Sequence, residues 1–303
     1  MSAWIKRWLA TGLVAWAARA ETTTTRWQPI FRGVELSTGE ADQAEVRRQR
    51  VLAVRIDVQA PGVEFFSTPA NGDRPLETTS ETTAEFLVHH GMQVAINANF
   101  FSPCCSPGEK DLSGLAISRG EVVSPPEVNR TNSQALVITR DNQARIVDTA
   151  AAEGFSSAGI WTAVAGSDRL LVDGKQPKNW SETRAKAVHP RTAVGVSRDG
   201  RYVVLLVLDG RQAGYSDGAN FAELADWLLR FGAHEAINLD GGGSTTLVRA
   251  EAGQAVVLNR PSGSALGSIF TGAKANEPRV LRSNGNNFGV YARPLGSGAA
   301  AGR

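Results

Sequence analysis

Between Glu235 and Val248 the chain reads E-A-I-N-L-D-G-G-G-S-T-T-L-V. An apolar strand ends in Asp240, three consecutive glycines follow, and three hydroxyl residues lead into a second strand-like run. Consecutive glycines cost backbone entropy, so their use suggests positive dihedral angles or an approach too close for any Cβ. A tight Gly-rich hairpin is the structural alternative, but hairpins seldom need three glycines after an acidic strand end. Successive N–H groups in such a turn form an anion nest, and Ser244 and Thr245 add hydroxyl donors, which together suit a phosphate. The nucleotide-binding loops fit poorly, because a Walker loop ends in Gly-Lys-Ser/Thr and both it and the dinucleotide fingerprint open a helix. Here T-T-L-V-R-A continues as a strand.

The residues upstream say where this loop sits. Y-V-V-L-L-V-L-D, from Tyr202, is apolar without alternation, as a strand covered on both faces must be. N-F-A-E-L-A-D-W-L-L-R-F-G then keeps Phe221, Leu224, Ala225, Leu228 and Leu229 on one helical stripe. Asn220 and Glu223 form an N-terminal capping pair, and Gly232 occupies the position where a left-handed residue ends a helix. Strand, helix and H-E-A-I-N-L-D make a β-α-β unit that ends in the N-L-D-G-G-G-S loop. A right-handed crossover sets its two strands parallel and brings Asp209 and Asp240 to one sheet edge, where ligands bind in open sheets.

A second helix–Gly–strand segment echoes the first. Placing Gly91 on Gly232 superposes A-I-N-A-N on A-I-N-L-D, so Asn97 and Asn99 match Asn238 and Asp240. The chance alternative is that short apolar strands resemble one another. If the echo is structural, both strand ends serve one cleft.

Other segments supply partners for an anion. These are H-P-R-T-A-V-G with His189 and Arg191, L-D-G-R-Q with Asp209 and Arg211, and L-N-R-P-S with Asn259 and Arg260. An Arg fork holds phosphate or carboxylate at two points, and Asn both donates to and accepts from sugar hydroxyls. The plain alternatives are Asp209-Gly210 as an ordinary turn, Arg191 as a surface ion-pair residue and His189 as a loop histidine. The chain has no H-E-x-x-H and no EF-hand loop, so zinc peptidases and EF-hand proteins lack their signatures.

The remaining strand-like segments far outnumber the helices, several being joined by polar turns such as Asp199-Gly200. With 32 Lys and Arg against 30 Asp and Glu, the formal charge is only +2, and no basic run interleaves with aromatics. Nucleic acid is therefore not an expected partner. At the N-terminus, Lys6 and Arg7, the apolar W-L-A-T-G-L-V-A-W-A-A and Ala18-Arg19-Ala20 read as a secretory signal cleaved after Ala20. An uncleaved anchor is the alternative, and either reading places the folded part outside the cytosol, secreted or periplasmic. After cleavage no stable membrane span is expected. Residues 21–293 form a single domain with its core over about 90–293, and 294–303 read as a flexible tail. Cys104 and Cys105 are adjacent, so they form a vicinal disulfide, pair between chains or stay free; they match neither a redox nor a zinc pattern.

The segments R-T-A-V-G, V-L-D-G-R-Q, the E-L-A helix with N-L-D-G-G-G-S, N-x-N-F-F and N-R-P-S together resemble the phosphodiester glycosidase family over roughly Gln93 to Arg293. That resemblance implies an α+β fold, a mixed β-sheet core with flanking helices. It also implies hydrolysis of a sugar C1–O bond to phosphate, with a phosphorylated glycan or other sugar-phosphodiester as substrate. Such a reaction passes through an oxocarbenium-like state served by carboxylates, while the departing phosphate needs a cradle of charge. Asp240 is the expected nucleophile or base, with Asp209 its partner or a turn residue and Arg191 on the phosphate. Asn97, Asn99, Asn238, Gly241, Gly242, Gly243, Ser244, Thr245, His189 and Arg211 are the expected substrate contacts. No cofactor is certain. A Ca²⁺ or Mg²⁺ ion among Asp209, Asp240 and Asn oxygens would make the protein a metal-assisted phosphodiesterase or phosphatase instead. A non-catalytic envelope module that binds phosphorylated glycans is the third reading. The extra Asp217 and the F-S-P-C-C-S-P-G-E-K insert depart from the family pattern and bear on substrate identity.

Overall fold

The computed structural model describes residues 22–43, 46–127, 132–150, 155–263 and 280–296. The expected signal at 1–20 and residues 297–303 of the expected tail lie outside them.

The fold is built around the hairpin of Arg191–Val196 and Tyr202–Leu208, whose register runs from Arg191 opposite Leu208 to Val196 opposite Val203. It turns at Asp199-Gly200, where Gly200 takes the left-handed φ of 70°. Val46–Asp57 pairs with Tyr202–Leu208 on one side and Glu235–Asn238 with Arg191–Val196 on the other, at the centre of an eight-stranded sheet. Alternate residues of Tyr202–Leu208 explain why it is apolar throughout. Val203, Leu205 and Val207 enter one core cluster with Val94, Ile96 and Phe288 of a second, five-stranded sheet. Val204, Leu206 and Leu208 enter another with Phe221, Leu224, Trp227 and Leu228 of the helix Phe221–Arg230. Each such side chain contributes about 1.5–3 kcal/mol by leaving water. A third sheet, also five-stranded, adds Leu136, Ile138 and Val164 to the first cluster.

Every strand pairing among the described residues is antiparallel, which corrects the expectation of a mixed sheet. Tyr202–Leu208 and Glu235–Asn238 do run in the same direction, but Arg191–Val196 lies between them and pairs with both. The hairpin is local in sequence, so it claims the edge that the crossover strand was expected to take. Arg191 opposes Leu208 and Ala193 opposes Asn238, so the ends leading to Asp209 and Asp240 still share one sheet edge.

The echoed segments adopt like structures. Thr82 and Glu85 form a capping box on the helix Thr83–His90, as Asn220 and Glu223 do on Phe221–Arg230. Each helix is followed by a left-handed glycine, Gly91 at φ 65° and Gly232 at φ 92°, and by a strand ending in Asn97 or Asn238. The two strands belong to different sheets, and their ends meet: the Asp240 N–H donates to the Ala98 carbonyl at 3.0 Å.

Candidate active site

Asp240 leaves the strand Glu235–Asn238, and the glycines after it turn the chain through a short 3₁₀ segment, Gly242–Ser244. At Gly241 a Cβ would lie 2.6 Å from the Pro190 carbonyl oxygen, and Gly242 takes a φ of 62° with the Arg211 guanidinium above it. The glycines therefore admit both a neighbouring main chain and an arginine.

The amides of this turn are largely committed. Gly242 N–H donates to Pro190 O at 2.9 Å, Ser244 N–H to Gly241 O and Thr245 N–H to Gly242 O. The expected anion nest of successive free amides is therefore corrected. The cationic groups around the loop are guanidinium groups instead. Arg211 overlies Gly242, and Arg282, which sequence reasoning missed, lies against Gly243 and donates to Ser244 Oγ at 3.2 Å. Arg282 belongs to no motif and arrives from a distant segment.

Burial pushes the Asp240 carboxyl up to about 6, although the Ser244 hydroxyl, the nearby Arg282 charge and the Gly241 N–H all favour its ionised form. Burial likewise lowers the pKa of Arg282 and of Arg211, the latter further through repulsion from Arg282. Guanidinium groups that repel one another beside a carboxyl of raised pKa can pair with an anion.

Asp209 faces inward. Its Oδ1 accepts from Asn259 Nδ2 at 2.9 Å and Arg260 N–H at 3.1 Å, and its Oδ2 from Arg260 N–H at 2.9 Å and Tyr215 Oη at 3.2 Å. Asn259 in turn donates to Thr245 O at 3.1 Å and accepts from Leu247 N–H at 2.8 Å. Asp209 thus holds the Asn259–Arg260 segment against the strand that follows the glycines.

Four expected substrate contacts are instead sealed in the interior. Asn97, Ser244 and Thr245 are wholly buried and Asn99 nearly so. Asn97 donates to Asp240 O at 2.6 Å and accepts from Thr192 Oγ1 at 2.9 Å and Thr246 N–H at 3.1 Å. The Asn99 amide bridges Ser113, Leu115, Ala165 and Asn286. These residues brace the strand crossing, because buried amides must be hydrogen-bonded and an Asn can join several main chains at once.

Arg191 is also buried, donating to Ala219 O at 2.9 Å, with its guanidinium carbon 4.7 Å from the Phe221 ring centroid. Burial lowers its pKa to about 10. Arg191, His189 and Asn238 share a cavity of about 310 Å³ with Phe100, Asn132 and Phe221. That volume is at the lower end of small-molecule pockets, roughly 300–1,000 Å³. Arg211 Nη2 lies 3.2 Å from His189 Nδ1, linking the glycine turn to this cavity.

Two groups of described residues have atoms close enough to hold a metal ion, Glu81–His89–His90 and Asp173–His234–Glu235. Neither includes Asp209 or Asp240. No helix among the described residues is long and apolar enough to cross a membrane.

The chain is similar to several known proteins. Over 97 residues the chain is 36% identical to bovine N-acetylglucosamine-1-phosphodiester alpha-N-acetylglucosaminidase, a match covering 29% of this chain and 18% of the bovine protein. The catalytic domain of the zebrafish enzyme of that name superposes with a TM-score of 0.58 at 17% identity, covering 90% of this chain and 88% of that one. A Burkholderia pseudomallei protein described as exported superposes with a TM-score of 0.64 at 13% identity, covering 95% of this chain and 100% of that one. A Synechocystis protein matches at a TM-score of 0.56 and 17% identity over 88% of this chain and 64% of its own length. The bovine enzyme is thus matched over less than a fifth of its length, and the two structural matches at 17% identity show the shared fold. Residues 90–275, well over half the chain, match the phosphodiester glycosidase family, and the chain belongs to that family of hydrolases.

Proposed function

We propose that the protein hydrolyses a sugar-1-phosphodiester at the glycosidic C1–O bond, releasing free sugar and a phosphomonoester. The observation that carries this reading is Asp240, a carboxyl held near pH 6 at a strand end, with Arg282 and Arg211 beside it. Asp240 serves as the base: it takes a proton from the water that attacks C1, and the C1–O electron pair leaves with the phosphate oxygen. The phosphate departs as a stable anion and needs little general-acid help. Arg211 and Arg282 stabilise the charge that develops on it, in a partly desolvated setting where such contacts are strongest. The cavity lined by Asn238, Asn132 and Phe100 takes the sugar, and Arg191 forms its cationic wall. Asp209 positions the Asn259–Arg260 segment and does not touch the reacting atoms.

The substrate class is a phosphorylated glycan or related sugar-phosphodiester, in keeping with the name of the bovine relative. The N-terminal signal pattern supports action outside the cytosol, in the periplasm or medium.

The test is turnover of an α-N-acetylglucosamine-1-phosphodiester beside simple aryl phosphodiesters in ¹⁸O-labelled water. C–O cleavage puts the label in the released sugar. Label in the phosphate product would overturn the assignment in favour of a phosphodiesterase. Binding without turnover would leave a glycan-binding module.

A further inference from the structure

Arg211 is one of few described non-glycine residues with a left-handed backbone, at φ 58°. Its N–H donates to Asp217 O at 3.1 Å, and the next residue, Gln212, both donates to and accepts from Ser216. This small loop turns the guanidinium back over Gly242 and onto His189 Nδ1. A strained conformation fixed by its surroundings is expected where a side chain's aim matters.

The chemistry of that contact is one-sided. A guanidinium has donors and no acceptor, so in the hydrogen bond to Arg211 the His189 Nδ1 must offer its lone pair. The imidazole proton is then on Nε2. An imidazolium would bring two donors face to face and lose the bond. His189 is half-buried and lines the cavity assigned to the sugar. The charged groups facing it are Arg211, Arg191 and, across the cavity, Arg184, whose partner is Asp168 at 3.2 Å.

We infer that His189 is locked as a neutral Nε2–H tautomer and acts on the substrate as a fixed hydrogen-bond donor, without transferring a proton. This rests on the proposed sugar-phosphodiester reaction and gives one more of its groups a role. Burial, then Arg211, then Arg191 lower the pKa of His189, in the same sense as the geometry. The donor meets an oxygen of the sugar phosphate at the mouth of the cavity. No bond at His189 forms or breaks, and the proton of the attacking water still goes to Asp240. A positioned donor aimed at developing charge is worth roughly 10²–10³ in rate.

The experiment pairs nitrogen NMR of the imidazole rings with kinetics on the full chain. The His189 signals, assigned by their loss in His189→Gln, are expected to show an unprotonated Nδ1 and a protonated Nε2 from pH 5.5 to 8. In Arg211→Met the ring is expected to become titratable, its pKa rising toward that of free histidine. His189→Gln keeps a donor that cannot ionise and is expected to retain activity within about tenfold of the parent, whereas His189→Ala loses roughly 10²–10³. Titration of His189 in the parent protein at the pH where activity changes would overturn the inference. So would a Gln variant as inactive as the Ala variant, with the fold intact by circular dichroism. The tautomer is read without substrate, so failure of the proposed reaction would show separately as absent turnover by a protein whose His189 is locked.

Discussion

Asn97 donates a 2.6 Å hydrogen bond to the main-chain carbonyl of Asp240, so the end of one strand fixes the residue that follows the other. The same amide accepts from Thr192 and Thr246, leaving none of its polar atoms idle. Asn97→Leu is expected to lower stability by about 3 kcal/mol, since it strands several buried groups. Asn97→Asp keeps the shape but sets a carboxylate oxygen against the Asp240 carbonyl. Its kcat should fall more than its KM rises. Urea unfolding and steady-state kinetics together check both.

Asp240 links activity to stability with opposite signs. Its carboxyl titrates at about 6 in the folded protein, above the ordinary value of 3.8. The folded state therefore holds this proton more tightly than the unfolded state does. Ionisation costs the fold nothing below the ordinary value, costs progressively more as pH rises, and reaches its full effect above about pH 6. That effect amounts to about 3 kcal/mol at most. Asp240→Asn should therefore melt higher than the parent at pH 8 and at the same temperature near pH 4, less whatever Arg282 loses with its partner. Its kcat should fall roughly 10²–10⁴-fold while substrate binding persists. The parent's activity should rise with pH through about 6, as the base ionises. Unchanged cleavage by the variant would remove Asp240 from the mechanism.

Asp209→Asn separates a positioning carboxylate from a catalytic one. The amide replaces one acceptor oxygen by a donor facing either Arg260 N–H or the groups around Oδ1. Stability is expected to drop by about 1–3 kcal/mol, with kcat/KM reduced less than a hundredfold. Full stability with activity abolished would instead mark Asp209 as the second catalytic carboxylate.

At Gly243 a Cβ would lie 2.4 Å from both Gly263 O and Arg282 Nη2. The arginine can move, but the carbonyl is main chain. Gly243→Ala should displace Arg282 from Ser244 and weaken phosphate binding, read as a rise in KM and in the inhibition constant of inorganic phosphate.

Chelation tests the metal-assisted alternative. The Asp209 oxygens are occupied by hydrogen bonds. Turnover after dialysis against EDTA should equal that before it.

The sequence by itself determined the elements whose cause is local. The unbroken apolar run from Tyr202 required a strand covered on both faces, and it is packed between two core clusters. The capping pair Asn220 and Glu223, the left-handed Gly232 and the Asp199-Gly200 turn all follow from chemistry within a few residues. Tertiary structure alone decided which polar groups are free. Asn97 and Asn99 have the residue type of sugar contacts, yet their hydrogen-bonding capacity is consumed where two sheets meet. Asp209 likewise spends its oxygens on a segment some fifty residues away. Arg282 carries no local signal, because its role comes only from lying against Gly243 and Ser244. Composition and periodicity report what a segment can bury, whereas the partner of a buried polar atom is set by chain crossings distant in sequence.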